Sequence, residues 1–208
     1  MEDKVVVTYG DTTLYESDVA LLRPGEWLND SVISFWFEYL AKERFKDHQD
    51  DLLFIDPSAM FMINFSDDME EVREAMAALE LEKRSMILMP INDNASIDHA
   101  GGTHWTLLVY TKRDGKFRHY DSFSAQATVC TAAKRTAKVM HAVLGGAGEP
   151  LIEAVHTPQQ GNGSVGEFLG KLPAGGMPQR IGSNTGAATR AEMKRALDTI
   201  ITATQQAN

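Results

Sequence analysis

Two short stretches carry the side chains best suited to proton chemistry. Gly101 to Trp105 reads GGTHW and places His104 directly before an apolar run, while His119 to Ser122 reads HYDS and places Asp121 at the end of another. A histidine held by a carboxylate has one ring nitrogen fixed and the other left to take a proton from a serine or cysteine, which is the orienting half of a nucleophilic triad. Two other readings compete with it. In the first, His104 merely opens a strand and bonds locally. In the second, His99, His104, His119 and Asp121 converge on a metal. Zinc needs three or four ligands of fixed geometry, and the chain has no H-E-x-x-H or C-x-x-C pattern, so the metal reading is set aside. The nucleophile candidates within the chain are Cys130, whose ordinary role is that of a small buried residue, and Ser164, which sits among glycines that offer no rigid platform.

The elements that must position these groups follow from periodicity and turn chemistry. Strands are expected at Lys4 to Tyr9, Ser85 to Ile91, His104 to Tyr110, Phe117 to Tyr120 and Glu149 to Val155. If the third and fourth of these pair through the turn KRDGK, His104 and Asp121 become neighbours. Counted from a turn centre near Asp114 and Gly115, the two are unequally distant, so an asymmetric or bulged turn is expected. A helix from Asn29 to about Arg44, capped by Asp30 or Ser31, is apolar nearly all round and must be buried on most sides. Further helices are expected at Pro57 to Phe65, Asp68 to Leu79, Ala125 to Leu144 and Ala187 to Gln206. In the last of these, Thr189 and Glu192 form a capping-box pattern, and Met193, Leu197, Ile200 and Ile201 share one face. The acidic run from Asp67 to Glu74 reads as a solvated helix start. Gly161 to Gly186 holds eight glycines and two prolines in 26 residues and reads as loop.

Composition narrows the function classes. The 208 residues are 43% hydrophobic and 24% charged, as expected of a globular chain with a sizeable core. A formal charge of -9 argues against a nucleic-acid partner and for a protein partner with a basic surface or tail. A single cysteine excludes an internal disulfide and suits the cytoplasm or nucleus. No secretory signal or membrane span is expected, and the chain is expected to act as a monomer.

Four motifs in order, WLND at Trp27 to Asp30, GGTHW, HYDS and PQQGNG at Pro158 to Gly163, resemble the cysteine proteases specific for ubiquitin-like modifiers of the sentrin, SUMO and Nedd types. The short length, the INDN stretch at Ile91 to Asn94 and the double glycine before THW make the chain most similar to the deneddylase branch. The resemblance runs from about residue 5 to residue 163. It implies an α+β, papain-like architecture with helices on a central mixed sheet and the site at the sheet edge. It implies His104 as general base, Asp121 as its orienting carboxylate and Gln160 as donor to the oxyanion. Trp27 and Trp105 are implied as walls of a tunnel for the modifier's diglycine tail, which only glycine can thread, with Asp30 reading the residues just upstream. The implied partner is a Nedd-type (Rub) modifier and its conjugates, such as cullins, rather than SUMO; no metal or organic cofactor is implied.

One segment departs from the family. Its glutamine stretch runs on through roughly N-G-x-D-C-G, whereas here QGNGSVG places Val165 at the aspartate position and Gly166 at the cysteine position. The apolar helix expected after that cysteine is replaced by the Gly/Pro-rich stretch at 164–186, before the chain resumes a family-like helix over 187–208. Three readings follow: a working protease with another nucleophile, a non-catalytic binder of the modifier, or an unstable form with neither property.

Overall fold

A computed structural model of the protein describes residues 2–94, 102, 104–123, 128–157 and 185–207. Two strands, β1 (Val5–Tyr9) and β2 (Thr12–Tyr15), form an antiparallel hairpin, followed by α1 (Glu16–Ala20) and α2 (Asp30–Tyr39). Next come β3 (Leu52–Phe54), α3 (Pro57–Phe65), α4 (Met69–Ala77), β4 (Met86–Asn92), β5 (Trp105–Thr111) and β6 (Lys116–Tyr120). The described chain closes with α5 (Thr131–Val143), β7 (Leu151–Val155) and α6 (Thr185–Ala207).

The main sheet runs β3-β4-β5-β6-β7, with antiparallel pairs at its centre and a parallel pair at each side. It is therefore the α+β arrangement of helices on a mixed sheet. Both faces of the central strands are covered, which is why MILMPI and TLLVY read as nearly unbroken apolar runs. Leu88, Leu107 and Val109 face a core shared with α2 and α6, whereas Ile87, Met89, Ile91 and Leu108 face one shared with α3, α4 and α5. Helix α2 lies in the first core with Val32, Ile33, Phe35, Trp36 and Phe37 all buried, as its all-round apolarity requires.

Several local expectations change. The cap of α2 is Asn29, whose side chain accepts from the Val32 N–H at 3.0 Å, rather than Asp30 or Ser31. The helix turns π-helical over Leu40–Arg44, closing with Phe45 N–H on the Leu40 carbonyl, and this wider turn places both Leu40 and Phe45 inside. Residues 12–15 pair with β1 as β2, with the reversal made by Gly10 at φ +58°. Helix α5 starts at Thr131, not Ala125, with Cys130 as its cap. Thr189 lies inside α6 rather than at its start, and Glu192 pairs with Arg44 at 2.9 Å. Among the described residues no helix is long and apolar enough to cross a membrane.

Helix α6 docks through Met193, Ala196 and Leu197 into the α2 core, so the chain beyond the glycine-rich block belongs to the same packed body. Leu197 is 1% exposed, and Leu197→Ala is expected to cost about 2–5 kcal/mol in denaturant unfolding. A loss below about 1 kcal/mol would show that α6 is not docked as described.

Candidate active site

His104 stands immediately before β5 and Asp121 immediately after β6. The ladder sets Leu107 opposite Tyr120 and Thr111 opposite Lys116, so the four-residue turn 112–115 is symmetric, with Gly115 at φ +65°. In that register Asp121 falls opposite Thr106, and His104 is its diagonal neighbour on the same face. The offset that called for a bulge is thus met by a diagonal contact in a regular ladder. His104 Nε2 lies 2.7 Å from Asp121 Oδ1, with both side chains largely buried. The carboxylate accepts from Nε2 and leaves Nδ1, which has no hydrogen-bond partner among the described residues, as the basic nitrogen.

The backbone around the histidine is clasped by INDN. His104 N–H donates to Asp93 Oδ1 at 3.0 Å, and Asp93 N–H returns to the His104 carbonyl at 3.1 Å. Gly102 has φ +102°, and a Cβ there would fall 1.8 Å from Asn92 Oδ1, so any other residue here would be strained and would displace the Asn92 side chain. On the carboxylate side, Phe123 N–H donates to the same Asp121 oxygen at 2.8 Å. The Phe123 ring lies 5.5 Å from the imidazole, and the Trp27 ring meets it edge-on at 6.4 Å.

Trp27, Leu28, Gly102, His104 and Trp105 line one cleft of about 380 Å³. The two indoles named from the sequence therefore flank the histidine. Trp27 is 44% exposed, whereas Trp105 packs partly against the core. Asp30 stands on the first turn of α2 and lines a separate groove of about 600 Å³ with Asp11, Ser34, Glu38 and Asp56. Gln160, Ser164 and Gly166 lie outside the described residues, as does His99. Among the described residues no group of three His, Cys, Asp or Glu side chains is placed to hold a metal ion.

These features agree with sequence comparison. A model described as the Ulp1 protease family, C-terminal catalytic domain, matches residues 26–146. The chain belongs to the Ulp1 protease family. It is 38% identical over 169 residues to sentrin-specific protease 8 of Homo sapiens, covering 80% of this chain and 78% of that one. It is 32% identical to NEDD8-specific protease 1 of Arabidopsis thaliana, covering 81% and 73%. In fold it is similar to the SUMO protease Ulp1 with its catalytic cysteine oxidised to a sulfonic acid, at TM-score 0.69, 19% identity and coverage of 97% and 91%. The C-terminal Ulp1 protease domain in complex with Smt3 aligns at TM-score 0.66 and 18% identity, covering 97% and 88%.

Within this Ulp1-family site, Cys130 serves a different histidine. Its sulfur accepts from the Ala133 N–H as the cap of α5 and lies 3.6 Å from His119 Nε2, which also contacts Thr106 Oγ1 at 3.0 Å. Asn29 and Asp93 lie within the WLND and INDN motifs, but the contacts they make, like those of Phe123, are not given by the motifs. Asn29 carried a capping signal, but the partners of Asp93 and Phe123 become visible only with the strand register.

The electrostatics separate the two histidines. Burial pushes the His119 pKa below its ordinary value, against the upward pull of the Asp121 charge and the Thr128 backbone, so the ring is held neutral. Burial alone would raise the Asp121 carboxyl, but bonds from His104 and the Phe123 N–H, with the attraction of the His104 ring when it is protonated, hold it below the usual carboxylate range. The unfolded chain protonates His119 near about pH 6.5 and the folded chain only at lower pH, so this stability is complete above that value and declines as pH falls below it. Asp121 adds a second loss at still lower pH, as its folded carboxyl finally protonates. Denaturant midpoints are expected to fall from about pH 7.5 to 5.5 in the native chain and to flatten in His119→Gln. An equal slope in both would show that His119 is not the neutral group described.

Proposed function

We propose that the chain is a deneddylase-type domain that takes the diglycine tail of a Nedd-type (Rub) modifier into the cleft between Trp27 and Trp105. The observation that carries this reading is the His104–Asp121 bond at the wall of that cleft, supported by relatives named for NEDD8 specificity. In the working form of such a site a thiol gives its proton to His104 Nδ1, and the thiolate attacks the carbonyl carbon of the terminal glycine. The oxyanion is received by donors such as Gln160, and the imidazolium returns its proton to the departing amine. Water then repeats the sequence on the thioester and frees the thiol. Free monomeric chain and neddylated substrates such as cullin conjugates are the appropriate pair for assay.

With Gly166 at the nucleophile position, this chain has no thiol for the first step. Loss of the nucleophile from such a triad costs on the order of a millionfold in turnover, whereas tail binding rests on groups outside it. The chain is therefore a binder of the modifier rather than a hydrolase. The docked α6 speaks against an unstable form, and the commitment of Cys130 to His119 speaks against Cys130 as a substitute nucleophile.

The test uses a Nedd-type modifier ending in a thiol-reactive group, offered to the native chain and to Gly166→Cys. Saturable binding without covalent labelling of the native chain is expected. Labelling at Cys130 would overturn the claim of inactivity, and absence of binding would overturn the claim of recognition. A parallel titration with SUMO is expected to be weaker; a preference for SUMO would reassign the modifier.

A further inference from the structure

The loop that presents Trp27 is held from the far end of the chain. Residues 21–28 leave α1 and enter α2, with Leu22 and Leu28 buried as anchors and Arg23 to Trp27 exposed between them. Pro24 and Gly25, the latter at φ +89°, make the turn. Such a segment has few apolar contacts of its own to fix the indole at its tip.

Arg190, on α6, reaches into this loop. Its side chain is buried, at 8% exposure, and its guanidinium donates to the Leu21 carbonyl at 2.7 Å and to the Glu26 carbonyl at 2.6 Å. The two carbonyls bracket the loop, and the second belongs to the residue directly before Trp27. A planar fork satisfies two acceptors at once, which a lysine cannot do with the same geometry. The charge is costly to bury: desolvation lowers the Arg190 pKa, with only the Glu26 carboxylate opposing it. A buried guanidinium bonded to two loop carbonyls contributes less to core packing than an apolar residue of the same length would, so its place is explained by what it holds.

We propose that Arg190 is a positioning residue that fixes the Trp27 wall of the diglycine cleft, making α6 part of the modifier-recognition apparatus. This inference rests on the tail-binding reading above. It also gives the preserved end of the chain a role: the helix after the replaced block keeps the tunnel in shape even though the nucleophile position is glycine.

The experiment labels the full chain with 5-fluorotryptophan, whose three 19F signals, from Trp27, Trp36 and Trp105, are assigned by Trp→Phe replacement. In Arg190→Met the Trp27 signal is expected to shift or broaden while that of core Trp36 stays in place, and Arg190→Lys is expected to give an intermediate displacement. Affinity for the Nedd-type modifier is expected to drop about tenfold in Arg190→Met, with no change for a modifier lacking its two terminal glycines. An unmoved Trp27 signal, or equal movement of all three, would overturn the proposal, as would unchanged affinity for the intact modifier. If Arg190→Met does not fold, the Lys variant is judged by the same Trp27 signal. If the native chain binds no modifier at all, the tail-binding reading fails, and the fluorine signals alone decide whether Arg190 sets the indole.

Discussion

A single hydrogen bond, from His104 Nε2 to Asp121 Oδ1, ties the start of β5 to the end of β6 at the wall of the cleft. It exists because β5 and β6 pair in a register that sets the two residues diagonally on one face. A slip of one residue would send one of them to the opposite face of the sheet. The register is in turn secured by burial on both sides: Leu107 and Val109 cannot exchange places with Leu108 without disturbing both cores. The contact thus depends on the sheet being packed from two sides, and helices far from the cleft are still needed for it.

Around that bond the structure divides its tasks. Asp93 and Gly102 fix the backbone entering β5, Phe123 fixes the carboxylate leaving β6, and Trp27 and Trp105 shape the cleft beside them. The second histidine of the sheet, His119, is one step removed and held neutral by burial, in company with Thr106 and Cys130. Two imidazoles on the same face therefore differ in kind. One has a carboxylate at hydrogen-bond distance and a free nitrogen, whereas the other packs against a hydroxyl and a thiol in the interior.

Much of this was legible in the residues. The all-round apolarity of Val32 to Phe37, the unbroken runs of β4 and β5, and the position of Asp68 before Glu70 and Glu71 each follow a rule of burial or capping, and α3 and the central strands lie where those rules put them. The His104–Asp121 pairing was expected, but its geometry was not, because counting from the turn finds the offset without showing that a regular ladder permits diagonal contacts. The short strands β2 and β3 escaped notice because three or four residues carry too little periodicity to separate from turn. The start of α5 differs from Ala125 because helical spacing does not show which side chain caps the helix, and that side chain is Cys130, which accepts the Ala133 N–H. Arg190 could not be found from local sequence at all, since its partners lie more than 160 positions away.

Asp121 holds His104 in one tautomer, with Nδ1 left to accept a proton. The 15N chemical shifts of the His104 ring, measured where the imidazole is neutral, read that tautomer. A protonated Nε2 and a pyridine-like Nδ1 are expected, with the preference lost in Asp121→Asn. A protonated Nδ1, or two averaged nitrogens in the native chain, would show that the carboxylate does not fix the ring.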